Sequence, residues 1–310
     1  MTGPVAAIDC GTNSIRLLVA QPGTDPSGLS DLDRRMQIVR LGEGVDRTGR
    51  LDPAALQRTF AALREYAQVI DELGADPTRM VATSASRDAS NAEEFVAGVR
   101  AILGVAPEVI TGDEEAALSY RGATSGVPDD RAPSPRLVVD IGGGSTEFVL
   151  GQGPAVLAAR SVDIGCVRMT ERHLAGDPPT RVEVASAVAD IDAAIAAAAE
   201  VVPLEQARSI VGLAGSVTTV AAIHLGLDSY DPTAIHGHVV PAEDVRAISD
   251  DLLAMTHDQR AAIAVMHPGR VDVIGAGALV LRRILDATGL PFVVVSEHDI
   301  LDGIAWSLVE

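Results

Sequence analysis

The sequence predicts an α/β protein made of two similar halves, each a sheet flanked by helices, and three observations carry that prediction. The first is composition: 47% of the 310 residues are hydrophobic but only 3% are aromatic. A core of Ala, Val, Leu and Ile suits parallel strands covered by Ala-rich helices. The second is the order of the pattern, in which short apolar runs alternate with longer amphipathic stretches. The third is a motif that occurs twice. Val5 to Ala20 and Leu137 to Leu150 both read apolar strand, Asp, x, Gly, small polar residues, Ser, apolar strand. Their aspartates, Asp9 and Asp140, lie 131 positions apart. That interval is too long for a solenoid repeat and suits a duplicated domain. The chain is long enough to give each half its own core.

In chain order, strands are expected at 4–9 and 14–20, followed by a Gly/Pro/Asp/Ser loop from Pro22 to Ser30 and a third strand from Met36 to Leu41. A helix follows, with Asp52 as N-cap, Pro53 at its first position, apolar residues at Leu56, Phe60, Leu63, Ala67 and Ile70, and Gly74 as terminator. Met80 to Thr83 reads as a buried strand, Asn91 to Leu103 as a helix stopped by Gly104, and Glu108 to Ile110 as a strand. Thr111 opens the next helix. After a Pro/Asp-rich connection from Gly126 to Pro135 the order repeats, with strands at 137–141, 145–150 and 155–163 and helices near 166–175 and 181–200. Strand Ser209 to Leu213 precedes helices at about 216–226 and 242–255. A long helix lies within Gly269 to Gly289, Pro291 to Val295 is the last buried strand, and Asp299 to Val309 is an amphipathic helix.

The doubled motif carries the chemistry. Three consecutive glycines, Gly142 to Gly144, allow backbone angles closed to other residues and let a ligand approach the main chain. Successive N–H groups in such a turn form an anion-binding concavity, so the amides of Gly143, Gly144 and Ser145 are candidates to hold a phosphoryl group. Asp140 and Glu147 leave the flanking strands, where a hard cation would bridge carboxylate and phosphate oxygens, in part through water. Gly11, Asn13 and Ser14 are the matching phosphate-binding candidates of the first copy. Asp9 either joins the metal shell or caps its own turn. Gly215 and Ser216, where a strand meets a helix start, form a third phosphate-compatible junction that an ordinary Ser N-cap explains as well. In Thr111-Gly112-Asp113-Glu114-Glu115, Thr111 and Glu114 read as a capping box. Glu115 is not needed for it and shares a stripe with Ser119 and Gly122 that looks too polar for a deep core.

Taken together, DCGTNS with IRLLVA (Asp9 to Ala20), TSASRDASN (Thr83 to Asn91), ITGDEEA (Ile110 to Ala116), VVDIGGGSTE (Val138 to Glu147), DIGCVRMTE (Asp163 to Glu171) and GLAGSVTT (Gly212 to Thr219) resemble the exopolyphosphatase and guanosine pentaphosphate phosphohydrolase (Ppx/GppA) family of the actin, Hsp70 and sugar kinase superfamily. The resemblance spans essentially the whole chain, and ITGDEEA ahead of VVDIGGGSTE is its specific part. It implies two ribonuclease H-like, actin-like ATPase domains facing an interdomain cleft. The first is 1–125, with a closing helix at 298–310 packing on it, and the second is 126–297. It also implies an Mg²⁺- or Mn²⁺-dependent hydrolase that releases the terminal phosphate of inorganic polyphosphate or pppGpp. Glu115 would be the catalytic base, Asp140 and Glu147 (with Asp9) the metal ligands, Arg87 a phosphate-neutralising arginine, and a homodimer the assembly. Arg16 and Arg270 are further arginine candidates. Where family members often carry an arginine near the C-terminus, this chain has Leu301. A sugar or acyl kinase, and a regulator that binds pppGpp without turnover, are the competing readings.

Composition narrows the partners. A formal charge of −19, from 24 basic and 43 acidic residues, argues against a general nucleic-acid surface. All the basic residues other than histidine are Arg; with no Lys, a P-loop GxxxxGK[ST] is ruled out. Cys10 and Cys166 make no disulfide framework, and no His/Cys spacing suits zinc. No signal peptide or membrane-length apolar run is read, so a cytoplasmic, soluble protein without a membrane partner is expected.

Overall fold

The first strand, β1 (Val5–Cys10), is buried along its whole length because both of its faces are covered. Ala6, Ile8 and Cys10 pack in one cluster with Leu63, Tyr66, Met80 and Phe95, while Val5 and Ala7 pack in another with Ile300, Leu301 and Ile304. This explains why the run is continuously apolar rather than alternating. The computed structural model describes residues 3–23, 28–124, 127–128 and 130–309. Contacts divide the chain into two compact units, Met1–Gly126 with His298–Glu310, and Val127–Glu297. Residues 125 and 126, where the sequence reading places its boundary, lie outside the described residues, as do 24–27 of the expected Pro22 to Ser30 loop.

The first unit contains β1, β2 (Ser14–Pro22), β3 (Leu29–Ile38), α1 (Val45–Thr48), α2 (Pro53–Leu73), β4 (Thr78–Ala82), α3 (Ser84–Asp88), α4 (Ala92–Leu103), β5 (Glu108–Val109) and α5 (Gly112–Thr124). The second contains β6 (Arg136–Ile141), β7 (Thr146–Gln152), β8 (Ala155–Val162), α6 (Cys166–His173), α7 (Arg181–Ala199), β9 (Ser209–Leu213), α8 (Ala214–His224), α9 (Pro232–Ile235), β10 (Val239–Pro241), α10 (Ala242–Ala254), α11 (His257–Ala261), α12 (Ile274–Thr288) and β11 (Phe292–Val295). The last helix, α13 (Ile300–Val309), belongs to the first unit.

The two sheets repeat one plan. In the first the order is β3-β2-β1-β4-β5, an antiparallel meander of three strands followed by two strands parallel to β1. In the second, β8-β7-β6-β9-β11 has the same directions, and β10 adds an antiparallel edge. This is the doubled α/β plan that the repeated motif predicts, and the ribonuclease H-like class that the resemblance implies. Among the described residues, no helix is long and apolar enough to cross a membrane.

Local signals act as expected where they are self-contained. Asp52 accepts from the amides of Ala54 and Ala55 at the start of α2, and Gly74 ends that helix at φ +61°. The third strand is a correction: it begins at Leu29 and ends at Ile38, not at Met36 to Leu41. Its charged residues are tolerated because this is an edge strand, where Arg34 pairs with Asp31 and Arg35 with Asp33. Val39 and Arg40 instead donate their amides to the carbonyl of Asn13. Arg87 lies in the short helix α3.

The Glu115 stripe of α5 is also corrected. Glu115, Ser119 and Gly122 are buried, not too polar for the interior. Their burial follows from α13, which crosses α5 at two glycines. A Cβ on Gly122 would fall on the carbonyl of Asp299, and one on Gly303 would fall on the carbonyl of Leu118. Backbone can approach backbone here only because neither residue has a side chain. Gly122→Ala and Gly303→Ala are each expected to lower unfolding stability by about 1–3 kcal/mol through overpacking. Urea unfolding of the two variants beside the parent checks this; an unchanged midpoint would contradict the close crossing.

Candidate active site

Each glycine turn is closed by an equivalent internal hydrogen bond. The amide of Gly11 donates to the carbonyl of Ser14 at 3.0 Å, and the amide of Gly142 donates to the carbonyl of Ser145 at 3.0 Å. In the second turn the carbonyls are consumed by the chain itself. Gly142 accepts from the amide of Cys166, Gly143 from those of Val167 and Arg168, and Gly144 from the amide of Gly165 and from Nε of Arg168. The amides of Gly143, Gly144 and Ser145 donate to no protein acceptor among the described residues. Donors left over while every glycine carbonyl is engaged make a turn that takes an anion. Gly165 makes this possible, since a Cβ there would fall on the carbonyl of Gly143 and the nitrogen of Gly144.

The first turn follows the same logic with fewer donors. Thr12 accepts from the amide of Gly42, and Asn13 from those of Val39 and Arg40, while the amides of Thr12 and Asn13 have no protein acceptor among the described residues. Gly11 is corrected here: its N–H is used inside the turn, so it shapes the loop rather than donating. Thr12, overlooked in the sequence, supplies an amide and a hydroxyl 2.8 Å from the hydroxyl of Ser84. Ser14 begins β2 and stands opposite Ile38 of β3.

The strands leaving the turns carry paired charged residues. Asp140 stands opposite Glu147 across β6 and β7, and Asp9 opposite Arg16 across β1 and β2. These positions correspond in the duplication, so the second unit has two carboxylates where the first has a carboxylate and a guanidinium. Both second-unit acids are buried, at 7% and 1% exposure, and Glu147 accepts from the hydroxyl of Ser161 at 2.6 Å. Hard oxygen donors in this number fit Mg²⁺, which is commonly held by one or two carboxylates together with phosphate oxygens and water. Among the described residues no three His, Cys, Asp or Glu side chains form a cage for a metal on their own. Asp9 is engaged by Arg16, whose Nε (3.1 Å) and Nη2 (2.6 Å) both reach Oδ2. Burial pushes its carboxyl above the ordinary carboxylate range, and the charge and hydrogen bond of Arg16 pull it partly back.

The two adjacent glutamates of α5 are separated by structure. The hydroxyl of Thr111 accepts from the amide of Glu114 at 3.2 Å, but the carboxylate of Glu114 goes to Arg79 at 3.2 Å instead of closing a capping box. Glu115 is 8% exposed, which excludes a solvated helix start. Arg87 places Nη1 3.3 Å from Oε2 of Glu115 and 2.9 Å from the carbonyl of Ile110. α3 thus brings a guanidinium onto the carboxylate proposed to handle water.

At the third junction, α8 begins at Ala214, which is held at φ +65°, so Ser216 lies inside the first turn and caps nothing. The Ser N-cap explanation is therefore corrected. A Cβ on Gly277 of α12 would fall on the Ser216 hydroxyl. The guanidinium of Arg270 lies against Gly215 and donates to the hydroxyl of Thr219 at 3.0 Å, so Arg270 belongs to this junction.

Known proteins resemble this chain over nearly its whole length. The model of the Ppx/GppA phosphatase family matches residues 19–310. Exopolyphosphatase 2 of Mycobacterium tuberculosis is 50% identical over 315 residues, covering 98% of each chain. A crystal structure of an exopolyphosphatase-like protein superposes with a TM-score of 0.94 at 46% identity, covering 98% of both chains. The Aquifex aeolicus member of the Ppx/GppA family gives 0.80 at 32% identity, covering 99% of this chain and 97% of the other.

Gly165→Ala is expected to displace the Gly143–Gly144 backbone and weaken inorganic phosphate binding by about tenfold, the loss of one to two charge-assisted hydrogen bonds. Calorimetric titration of phosphate checks it; unchanged affinity would remove this turn from anion binding.

Proposed function

Because the chain belongs to the Ppx/GppA phosphatase family, we propose that it hydrolyses the terminal phosphoanhydride of inorganic polyphosphate. One observation carries the reaction. Glu115 is buried against Arg87, while its neighbour Glu114 is exposed and paired with Arg79. A carboxylate so placed orients a water or takes its proton as the oxygen attacks phosphorus in line with the leaving phosphate. The substrate class rests on the likeness to exopolyphosphatase 2.

The amides of Gly143, Gly144 and Ser145 take oxygens of a phosphoryl group, and those of Thr12 and Asn13 give the first unit an anion site of its own. Arg87 holds Glu115 in the resting protein and neutralises phosphate charge when substrate is bound. Asp140 and Glu147 would hold Mg²⁺, which would supply charge neutralisation for a bound phosphate. Asp9 is a weaker candidate for a metal ligand, since Arg16 already engages one of its oxygens. Hydrolysis of pppGpp belongs to the same proposal, because that nucleotide ends in the same linkage. Charge is the obstacle to a polyanion: at −19 overall, attraction has to come from a few arginines and the cation.

Phosphate release from polyphosphate, pppGpp and ATP, with and without Mg²⁺, tests the reading. Release from polyphosphate with no acceptor present is expected, and tight binding without release would favour a regulator. Glu115→Gln is expected to retain polyphosphate binding and lose turnover by about 10²–10⁴-fold; equal turnover would exclude Glu115 as the base. Asp140→Asn is expected to shift the Mg²⁺ activation curve to higher concentration, and chelation with EDTA to abolish release. The Michaelis constant for polyphosphate is expected to rise with ionic strength.

A further inference from the structure

The first unit contains a chain of three charged residues, and the hydrolytic reading leaves two of them, Arg16 and Asp299, without a role. Arg16 on β2 bonds Asp9 at the end of β1 and, through Nη1, Asp299 just ahead of α13. Asp299 is itself fixed. Its Oδ1 accepts from the amide of Leu301, and its own amide donates to Asp302, which pairs with Arg34 at 2.5 Å. The backbone of Asp299 packs on Gly122 of α5. Asp9 and Asp299 are both about 4% exposed.

The way Arg16 meets Asp9 is informative. A guanidinium facing a carboxylate usually forms two parallel bonds, one to each oxygen. Here Nε and Nη2 both go to Oδ2, and Oδ1 is buried with no hydrogen-bond donor among the described residues. The nitrogen on the other side, Nη1, is held by Asp299. A buried carboxylate oxygen without a donor is costly unless something supplies one. One positive charge is shared by two buried carboxylates, so whatever completes the group is a donor of positive character.

We propose that Asp299 is a positioning residue, which by holding Arg16 on one side keeps Oδ1 of Asp9 open to accept a water of a hydrated divalent cation. The inference rests on the metal-assisted hydrolysis proposed above. Without the carboxylate of Asp299, Arg16 is released to pair with both oxygens of Asp9, closing the acceptor. The C-terminal helix thereby acts on the first glycine turn through a side chain that touches no substrate.

The test measures Mn²⁺ binding to the full chain without substrate, with free Mn²⁺ read by electron paramagnetic resonance, alongside thermal unfolding. Asp299→Asn is expected to weaken Mn²⁺ binding about 10–100-fold, the size of effect of removing a group behind a metal ligand. Asp9→Asn is expected to weaken it to a similar extent, and the double variant no further, because Asp299 acts through Asp9. Arg16→Lys, which keeps the charge but cannot serve both carboxylates as a fork, is the second variant and is expected to show the same direction of loss. Wild-type Mn²⁺ affinity in Asp299→Asn with only a lowered melting temperature would overturn the proposal. So would additive losses in the double variant, an unchanged Arg16→Lys, or no Mn²⁺ binding by the parent chain. Phosphate release by the parent separately judges the hydrolase reading, so the two failures are distinguishable.

Discussion

The structure depends on how the glycine turns dispose of their backbone polar groups. In the turn after β6, the carbonyls of Gly142, Gly143 and Gly144 are taken by the start of α6 and by Arg168, and three successive amides remain. Backbone groups buried without partners are rare, so unused donors gathered at one turn mark a place for an anion. The arrangement demands a close approach between α6 and the turn, and Gly165 is the residue that allows it. The first unit achieves the same with a different partner, the segment after β3, which donates amides from Val39, Arg40 and Gly42.

Duplication has left the two units alike in topology and unlike in charge. Asp140 faces Glu147, whereas Asp9 faces Arg16. One unit therefore presents a pair of acids, and the other an internal ion pair. This difference bears on function more than the shared fold does. It separates a facing pair of acids from a carboxylate that shares a guanidinium, although the two aspartates look equivalent in the sequence. A fold shared by many proteins says little about chemistry; the residue opposite each aspartate says more.

The carboxylates of α5 and α13 show how packing assigns roles to chemically identical groups. Glu114 and Glu115 are neighbours, yet one is exposed and bound to Arg79 while the other is buried on Arg87. Asp299 and Asp302 read in the sequence as ordinary polar positions on an amphipathic helix. Their burial against Arg16 and Arg34 was not legible, because their partners lie 283 and 268 positions away on strands of the same unit.

What the sequence by itself determined is what short-range physics determines. The alternation of strands and helices, the Asp52 cap, the Gly74 stop and the doubled Asp-x-Gly motif depend on neighbours within a turn or two, and each is where the residues place it. The tertiary structure decided the rest. It started β3 seven residues early, because an edge strand tolerates charge through pairs such as Arg34 with Asp31. It buried a polar stripe of α5 because two glycines let α13 touch its backbone, and it removed Ser216 from a cap by starting α8 at Ala214. Each of these depends on a partner distant in the chain, and the free energy that selects it comes from packing and charge pairing, which no local pattern contains.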